Sequence, residues 1–340
     1  MKRILLAAAA VMAVGATAGA QDLTGAGSSF AAPIYNSWAQ VYAAKTGVKV
    51  NYQSVGSGAG INQISEQTVD FGATDGPMTD AQMAKAKGGA ILHIPTVIGA
   101  VSMSYNLPGV PATTHLKFTG PVLADIYLGK ITKWNDPQIK ALNPGVNLPD
   151  KGIIVVHRSD ASGTSYIVTD YFSNVSEAWK NGPGKGTAIS WPVGLGAKGN
   201  EGVAGQVRQI EGALGYVELA YVLTNHMTYS LLKNRNGNYI APSLEGATEA
   251  AAGTAAHLPA NSDFRISIVN APGAKSYPIS SFTWILLYKH QADAEKGKKL
   301  VNFLRWAMQD GDPQATALAY ATLPKNMKQM VLKRLAEVTY

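Results

Sequence analysis

The stretch Val155-Val156-His157-Arg158-Ser159-Asp160-Ala161-Ser162-Gly163-Thr164-Ser165 decides how the rest of the chain is read. The run Ile153-Ile154-Val155-Val156 is short, apolar and β-branched, which predicts a buried strand. Tyr166, Ile167, Thr169, Asp170 and Tyr171 suit the opening of a helix, so Ser162-Gly163-Thr164 falls where strand turns into helix. Unpaired backbone N–H groups and the positive end of a helix dipole make such a junction a seat for an anion. Gly163 lets the backbone approach closely, and Ser162 and Thr164 add hydroxyl donors. Arg158 supplies a planar fork suited to a tetrahedral oxyanion. Asp160 is the odd member. A carboxylate here repels an anion unless it holds the arginine or accepts a proton that the ligand carries. Taken singly, these residues read equally well as a surface salt bridge beside a helix cap. The cluster is what points to a ligand.

The start of the chain bears on the compartment. Lys2 and Arg3 precede the apolar, alanine-rich run Ile4 to Ala16, and Ala18-Gly19-Ala20 matches a small-residue cleavage site. The pattern predicts a secretory signal peptide over residues 1–20, too short to anchor in a membrane, and a mature chain from Gln21. An exported protein of this kind is expected in a periplasm or outside the cell. There is no cysteine, which excludes disulfides, thiolate metal sites and a lipid on an amino-terminal cysteine. With 340 residues, 46% hydrophobic and 15% charged, the chain can build two lobes around sizeable cores. The formal charge of +7 shrinks once Lys2 and Arg3 leave. No dense Lys/Arg stripe with interleaved aromatics is present, so small anions are expected as partners and nucleic acid is not.

From Gln21 onward a first lobe emerges. Leu23 to Gly27 reads as a strand running into a Gly/Ser loop, and Ile34, Trp38, Val41 and Tyr42 then recur at helical spacing. Ser29 is placed to cap that helix, with Pro33 in its first turn and Gly47 at its end. Val48, Val50 and Tyr52 alternate as a strand, followed by the loop Val55-Gly56-Ser57-Gly58-Ala59-Gly60 and a short helix from Ile61. Val69 to Ala73 reads as a third strand that delivers Asp75 at its carboxyl end. This rhythm predicts an α/β fold with a parallel sheet, in which ligands bind beyond the carboxyl ends of the strands. Ser29-Phe30, Ser57 and Asp75 therefore converge on one edge.

Further along, Val97 to Tyr105 and Ile279 to Leu287 are long apolar runs, expected to cross between lobes. Between them lie helices from Pro121 and Asp136-Pro137, the Ile153 strand, a loop-rich segment from Gly182 to Gly205, and a strand Ala213 to Val217. Residues 234–262 read as a polar, alanine-rich surface excursion. Helices from Ala292 to Met308 and Asn326 to Val338 return to the first lobe. Two crossings between two α/β lobes describe a hinged clamp: lobe I from residues 21–100 plus 280–340, lobe II from 101–279, with the ligand cleft between them.

Some patterns carry no function. Gly194-Leu195-Gly196-Ala197-Lys198-Gly199 matches the dinucleotide fingerprint, but Trp191-Pro192-Val193 is a poor strand before it, so a mobile loop is expected. The six histidines show no metal-ligand spacing, and no metal or cofactor is expected. A secreted serine hydrolase with Ser162 as nucleophile beside His157 is the alternative in a different class. It lacks a Gly-x-Ser-x-Gly elbow, and no catalytic residue is assigned.

Together these residues resemble the periplasmic phosphate-binding proteins of ABC-type phosphate importers, across essentially the whole mature chain. The resemblance rests on Leu23-Thr24-Gly25-Ala26-Gly27 with Phe30 and Pro33, Tyr52-Gln53 before Gly56-Ser57, and Val69-Asp70-Phe71-Gly72-Ala73-Thr74-Asp75. It continues in Ile94-Pro95-Thr96-Val97-Ile98-Gly99, Asp125 to Ile131 with Trp134, Arg158-x-Asp160-x-Ser162-Gly163-Thr164-Ser165, and Gly212 to Glu218. It implies a two-lobe periplasmic-binding-protein fold of type II, monomeric, closing on inorganic phosphate and serving the permease subunits of an importer. Carried over by position, it implies contacts from Ser29, Phe30 (through its backbone N–H), Ser57, Asp75, Arg158, Asp160, Ser162, Gly163 and Thr164. Ser29 stands where relatives often have threonine, and the hydroxyl is kept. The resemblance also gives Asp75 the proton of a protonated phosphate oxygen and Asp160 the orientation of Arg158. Arsenate and sulfate are the competing oxyanions.

Overall fold

A computed structural model describes residues 22–259 and 261–340. The expected signal peptide and the mature start at Gln21 lie outside the described residues. The fold turns on one strand, Ile91–Tyr105, buried along all fifteen residues. Its first part, to Ala100, pairs antiparallel with Ser280–Tyr288, and from Val101 it pairs antiparallel with Ala213–Glu218. One strand thus belongs to two sheet halves. Pro95 interrupts neither, because the register slips by one residue opposite Thr283/Trp284. Such a bulge accommodates a residue with no N–H to donate.

On one side of this strand the order runs Ser280–Tyr288, Phe71–Thr74, Leu23–Gly27, Val50–Ser54. On the other it runs Ala213–Glu218, Ile154–Arg158, Leu195–Ala197. The outer pairings within each half are parallel, as the strand–helix rhythm predicts, and the central ones are antiparallel. Parallel alignment brings Gly27, Ser54 and Thr74 to one edge, so the loops after them face the same space.

The helix Ala32–Thr46 buries Ile34, Tyr35, Trp38, Ala39 and Tyr42 on one stripe and ends on Gly47 at φ 77°. Burial of each such large side chain stabilises by roughly 1.5–3 kcal/mol. In the other half, Trp134, Tyr127, Phe172 and Trp179 form the corresponding core.

Three expectations are corrected. Ser29 does not cap the helix: the cap position is Ala31, and Ser28 Oγ accepts from the Ala31 N–H at 3.1 Å. The sequence Gly194 to Gly199 is no mobile loop. It contains the edge strand Leu195–Ala197 and opens the helix Gly199–Gln209, while Trp191 before it stacks on His157. The motif fails as a fingerprint because Gly194 precedes the strand, Gly196 lies within it and Gly199 is at the helix start, rather than all in a turn after the strand. Residues 234–262 are not a surface excursion either. They include the helix Leu244–Ala255, whose Ala247, Ala250, Ala251 and Ala255 are buried, because small side chains let it pack closely. The chain after it is tied back to the first half: Asn326 and Arg334 donate to Ala255 O and Ser262 O, and Arg265 donates to Met78 O.

Candidate functional site

The edge loops of both halves meet in a buried polar cluster. The helix Ser57–Ser65, which starts four residues earlier than the sequence suggests, and the helix Gly163–Val175 both begin there, each bringing a positive dipole end. The two halves touch: the Gly58 N–H donates to Ala161 O at 2.9 Å. Gly163 is required by this approach, since a Cβ on it would overlap Ser57 Oγ and Asp75 Oδ2.

Arg158 ends its strand fully buried, with its backbone N–H donating to Tyr216 OH at 2.9 Å. Its Nε donates to Asp160 Oδ1 at 2.7 Å and its Nη2 to Asp160 Oδ2, a two-point grip that fixes the plane of the guanidinium. The remaining edge turns inward, and Nη1 donates to Thr164 Oγ1 at 3.3 Å. Burial pushes the Asp160 carboxyl up, but the hydrogen bonds and charge of Arg158 outweigh it and hold the group below the usual range.

Asp75 lies on the opposite wall, also buried, without a cation in contact. Its Oδ1 accepts from Ser28 Oγ at 2.6 Å and from Thr283 Oγ1 at 2.8 Å. Its Oδ2 has one long bond, from Ser57 Oγ at 3.4 Å, and lies beside Gly163. Burial pushes the carboxyl up to about 6, against the pull of the hydroxyls and the more distant Arg158. One carboxylate oxygen is therefore saturated, and the other is an acceptor facing the cluster.

Comparison with known proteins agrees with this architecture. The PBP superfamily domain model matches residues 13–310. The phosphate-binding protein PstS of Pasteurella multocida is 45% identical over 330 residues, covering 97% of this chain and 94% of that protein. The PstS of Xylella fastidiosa is 45% identical over 309 residues, covering 91% and 83%. The chain belongs to the PstS family of phosphate-binding proteins. Among solved structures, PfluDING, described as a high affinity periplasmic phosphate-binding protein bound with phosphate, superposes with a TM-score of 0.72. It shares 18% identity, over 92% of this chain and 93% of that one. A phosphate-binding protein from Stenotrophomonas maltophilia gives 0.70 at 20% identity, over 92% and 94%. At these identities the likeness shows the fold: mixed α/β, of the periplasmic-binding-protein kind.

The structure of this PstS family member places the nine sequence-nominated residues as follows. Ser57, Asp75 and Gly163 adjoin one another, as do Arg158, Asp160 and Thr164. Ser29 joins Thr164 through Asn200, and Phe30, its ring buried, follows Ser29 with its carbonyl accepting from Tyr320 OH. Ser162 Oγ accepts from the Ser165 N–H as the cap of its helix. The pairing needed by a serine nucleophile is not formed among the described residues: His157 Nδ1 bonds Arg158 O and its ring stacks on Trp191 at 4.9 Å. No cluster of metal-ligating side chains occurs among the described residues.

Sequence reasoning missed Ser28, Thr283 and Asn200. Ser28 was hidden by its neighbour, since consecutive serines on a loop differ only in direction. Thr283 sits inside an apolar run, and a polar residue in a buried strand was the available signal. Asn200 lay in the loop-rich segment Gly182 to Gly205, to which no ligand contact was assigned.

Proposed function

We propose that this chain binds hydrogen phosphate between its two halves and delivers it to an ABC-type importer. The carrying observation is Asp75 Oδ2, a buried acceptor that receives only a long bond from Ser57 Oγ at 3.4 Å and lies in the same cluster as the Arg158 guanidinium and the hydroxyls of Ser29, Ser162 and Thr164; the family resemblance adds the N–H groups of Phe30 and Gly163 as further donors. Phosphate near neutral pH carries a proton to place against that acceptor. Sulfate carries none and would set two acceptors face to face, leaving a buried charged group unsatisfied at roughly 1–3 kcal/mol or more. Asp160 keeps Arg158 aimed and partly offsets its charge. Arsenate, protonated like phosphate, meets the same pattern and differs in size.

The division into lobes, 21–100 plus 280–340 and 101–279, supports a clamp, because the pairing partner of the long central strand changes between Ala100 and Val101. In this reading the closed form docks on permease subunits in the membrane, and residues 1–20 direct export to the periplasm. No helix among the described residues is long and apolar enough to cross a membrane. The relatives are named as binding proteins, and no catalytic step is assigned here.

Calorimetric titration of the mature, phosphate-stripped protein is the test. One-to-one binding of phosphate with no sulfate heat at pH 8 is expected. Equal affinity for the two anions would overturn the role given to Asp75, and binding of neither would overturn the function.

A further inference from the structure

Asn200, at the start of the helix Gly199–Gln209, is fully buried and touches both walls of the cleft. Its Oδ1 accepts from the Glu218 N–H at 2.9 Å. That bond settles which end of the amide is which, since a backbone N–H requires an oxygen partner. Both Nδ2 hydrogens are then spent on hydroxyls, one on Ser29 Oγ and one on Thr164 Oγ1, each at 3.0 Å. The Asn200 backbone N–H also donates to Ser29 Oγ at 3.0 Å, and Arg158 Nη1 donates to Thr164 Oγ1. Each hydroxyl oxygen thus receives two donated hydrogens. A hydroxyl has two lone pairs and one hydrogen, so what each has left to offer is its hydrogen.

We infer that Asn200 is a positioning residue that makes Ser29 and Thr164 obligate hydrogen-bond donors, so that the cleft accepts an oxyanion only with bare oxygens turned toward these two residues. The inference rests on the anion-binding reading above and deepens it. With Asp75 Oδ2 as the acceptor, the two devices sort the ligand's oxygens: the protonated one faces Asp75, and unprotonated ones face Ser29 and Thr164. The bond to Ser29 also crosses between the halves, so half of this polarity is set only on closure. A freely rotating hydroxyl would instead accept a proton from a more protonated anion and blur the distinction.

Asn200→Asp and Asn200→Ala, each combined with Ser29→Ala, separate this role from a structural one. The aspartate keeps an acceptor for the Glu218 N–H and nearly the same shape, but its other oxygen would draw the Ser29 and Thr164 hydrogens to itself. It should weaken binding of inorganic phosphate by about 100-fold at pH 8. Alanine removes the imposed direction but leaves the hydroxyls free to turn, and should cost about tenfold. The aspartate also brings a negative charge beside the anion, which weakens binding whatever the role of Asn200, so the order of the two variants does not decide and the double-mutant cycle with Ser29→Ala does. Ser29→Ala, added to Asn200→Asp, should cost almost nothing further, although it weakens the wild-type protein. If Asn200→Asp fails to fold, the Ala variant decides through the same cycle: Ser29→Ala must then cost less than in wild type. Asparagine-to-aspartate affinity equal to wild type, or fully additive cycles, would overturn the inference while leaving phosphate binding intact. A wild-type protein that takes up no phosphate overturns the underlying reading with it.

Discussion

Asp75 and Asp160 are the same residue on facing walls of one cleft, and the two walls treat them in opposite ways. Asp160 is gripped by a guanidinium and held below the usual carboxylate range; Asp75 is surrounded by hydroxyls and pushed up to about 6. The difference lies both in depth and in what compensates burial: Asp160 is only partly buried and Asp75 fully so. A full positive charge more than offsets the partial desolvation of Asp160, whereas two or three neutral donors fall short at Asp75. On the function proposed above, the wall with the arginine attracts the anion, and the wall without one reads how many protons it carries.

The most severe way to break this contrast is to remove the cation. Arg158→Met strands Asp160 beside the cleft and deletes the guanidinium fork. Phosphate affinity by calorimetry is expected to fall about a thousandfold, roughly 4 kcal/mol. Next in size is Gly163→Ala, whose Cβ would wedge against Ser57 and Asp75 and keep the walls apart. An affinity loss of about 100-fold is expected. The unfolding temperature of the ligand-free protein should hardly change, because alanine suits the first turn of a helix.

The contrast sharpens in pH titrations of the ligand-free protein. The folded-state value of Asp75 lies above its ordinary value, so its contribution is favourable in acid and is lost as pH rises through about 6. Asp160, held low, contributes in the opposite sense: its stabilisation is present above the ordinary carboxylate range and is lost as pH falls. Asp75→Asn should therefore raise stability at pH 7, by up to roughly 3 kcal/mol, and flatten the loss between about pH 4 and 6. Denaturant melts across pH measure both. The smallest effect is expected from Ser28→Ala, which removes one of the two donors to Asp75 Oδ1. Asp75 should then titrate still higher and, on the role proposed for it, sulfate binding should set in at a higher pH. Phosphate affinity should fall about threefold.

Much of this was legible beforehand because local rules govern it. The strand at Leu23–Gly27, the helix carrying Trp38 and the strand-to-helix turn at Ser162 follow from side-chain period and cap chemistry. The Arg158–Asp160 pair could be anticipated because two residues of separation on a loop leave them within reach. Positions whose meaning depends on distant partners were opaque. Trp191 read only as part of a loop, with nothing local to show that its ring stacks on His157 and Tyr216. The alanines of Leu244–Ala255 looked like surface until the crossing strands were laid beneath them.

The sequence by itself determined the α/β class, the parallel outer strands and the edge on which the loops after them gather, and it nominated the side chains now proposed to hold the ligand. These are set by hydrophobic period, glycine placement and helix-end chemistry, all of which act within a few residues. Only the tertiary structure decided which serine of the pair Ser28-Ser29 serves Asp75, that Thr283 of a remote strand joins it, and that Asn200 links the two walls. Those choices depend on the direction of single hydrogen bonds across 171 and 208 residues of chain. Such directions exist only once the two halves of the sheet have been brought together.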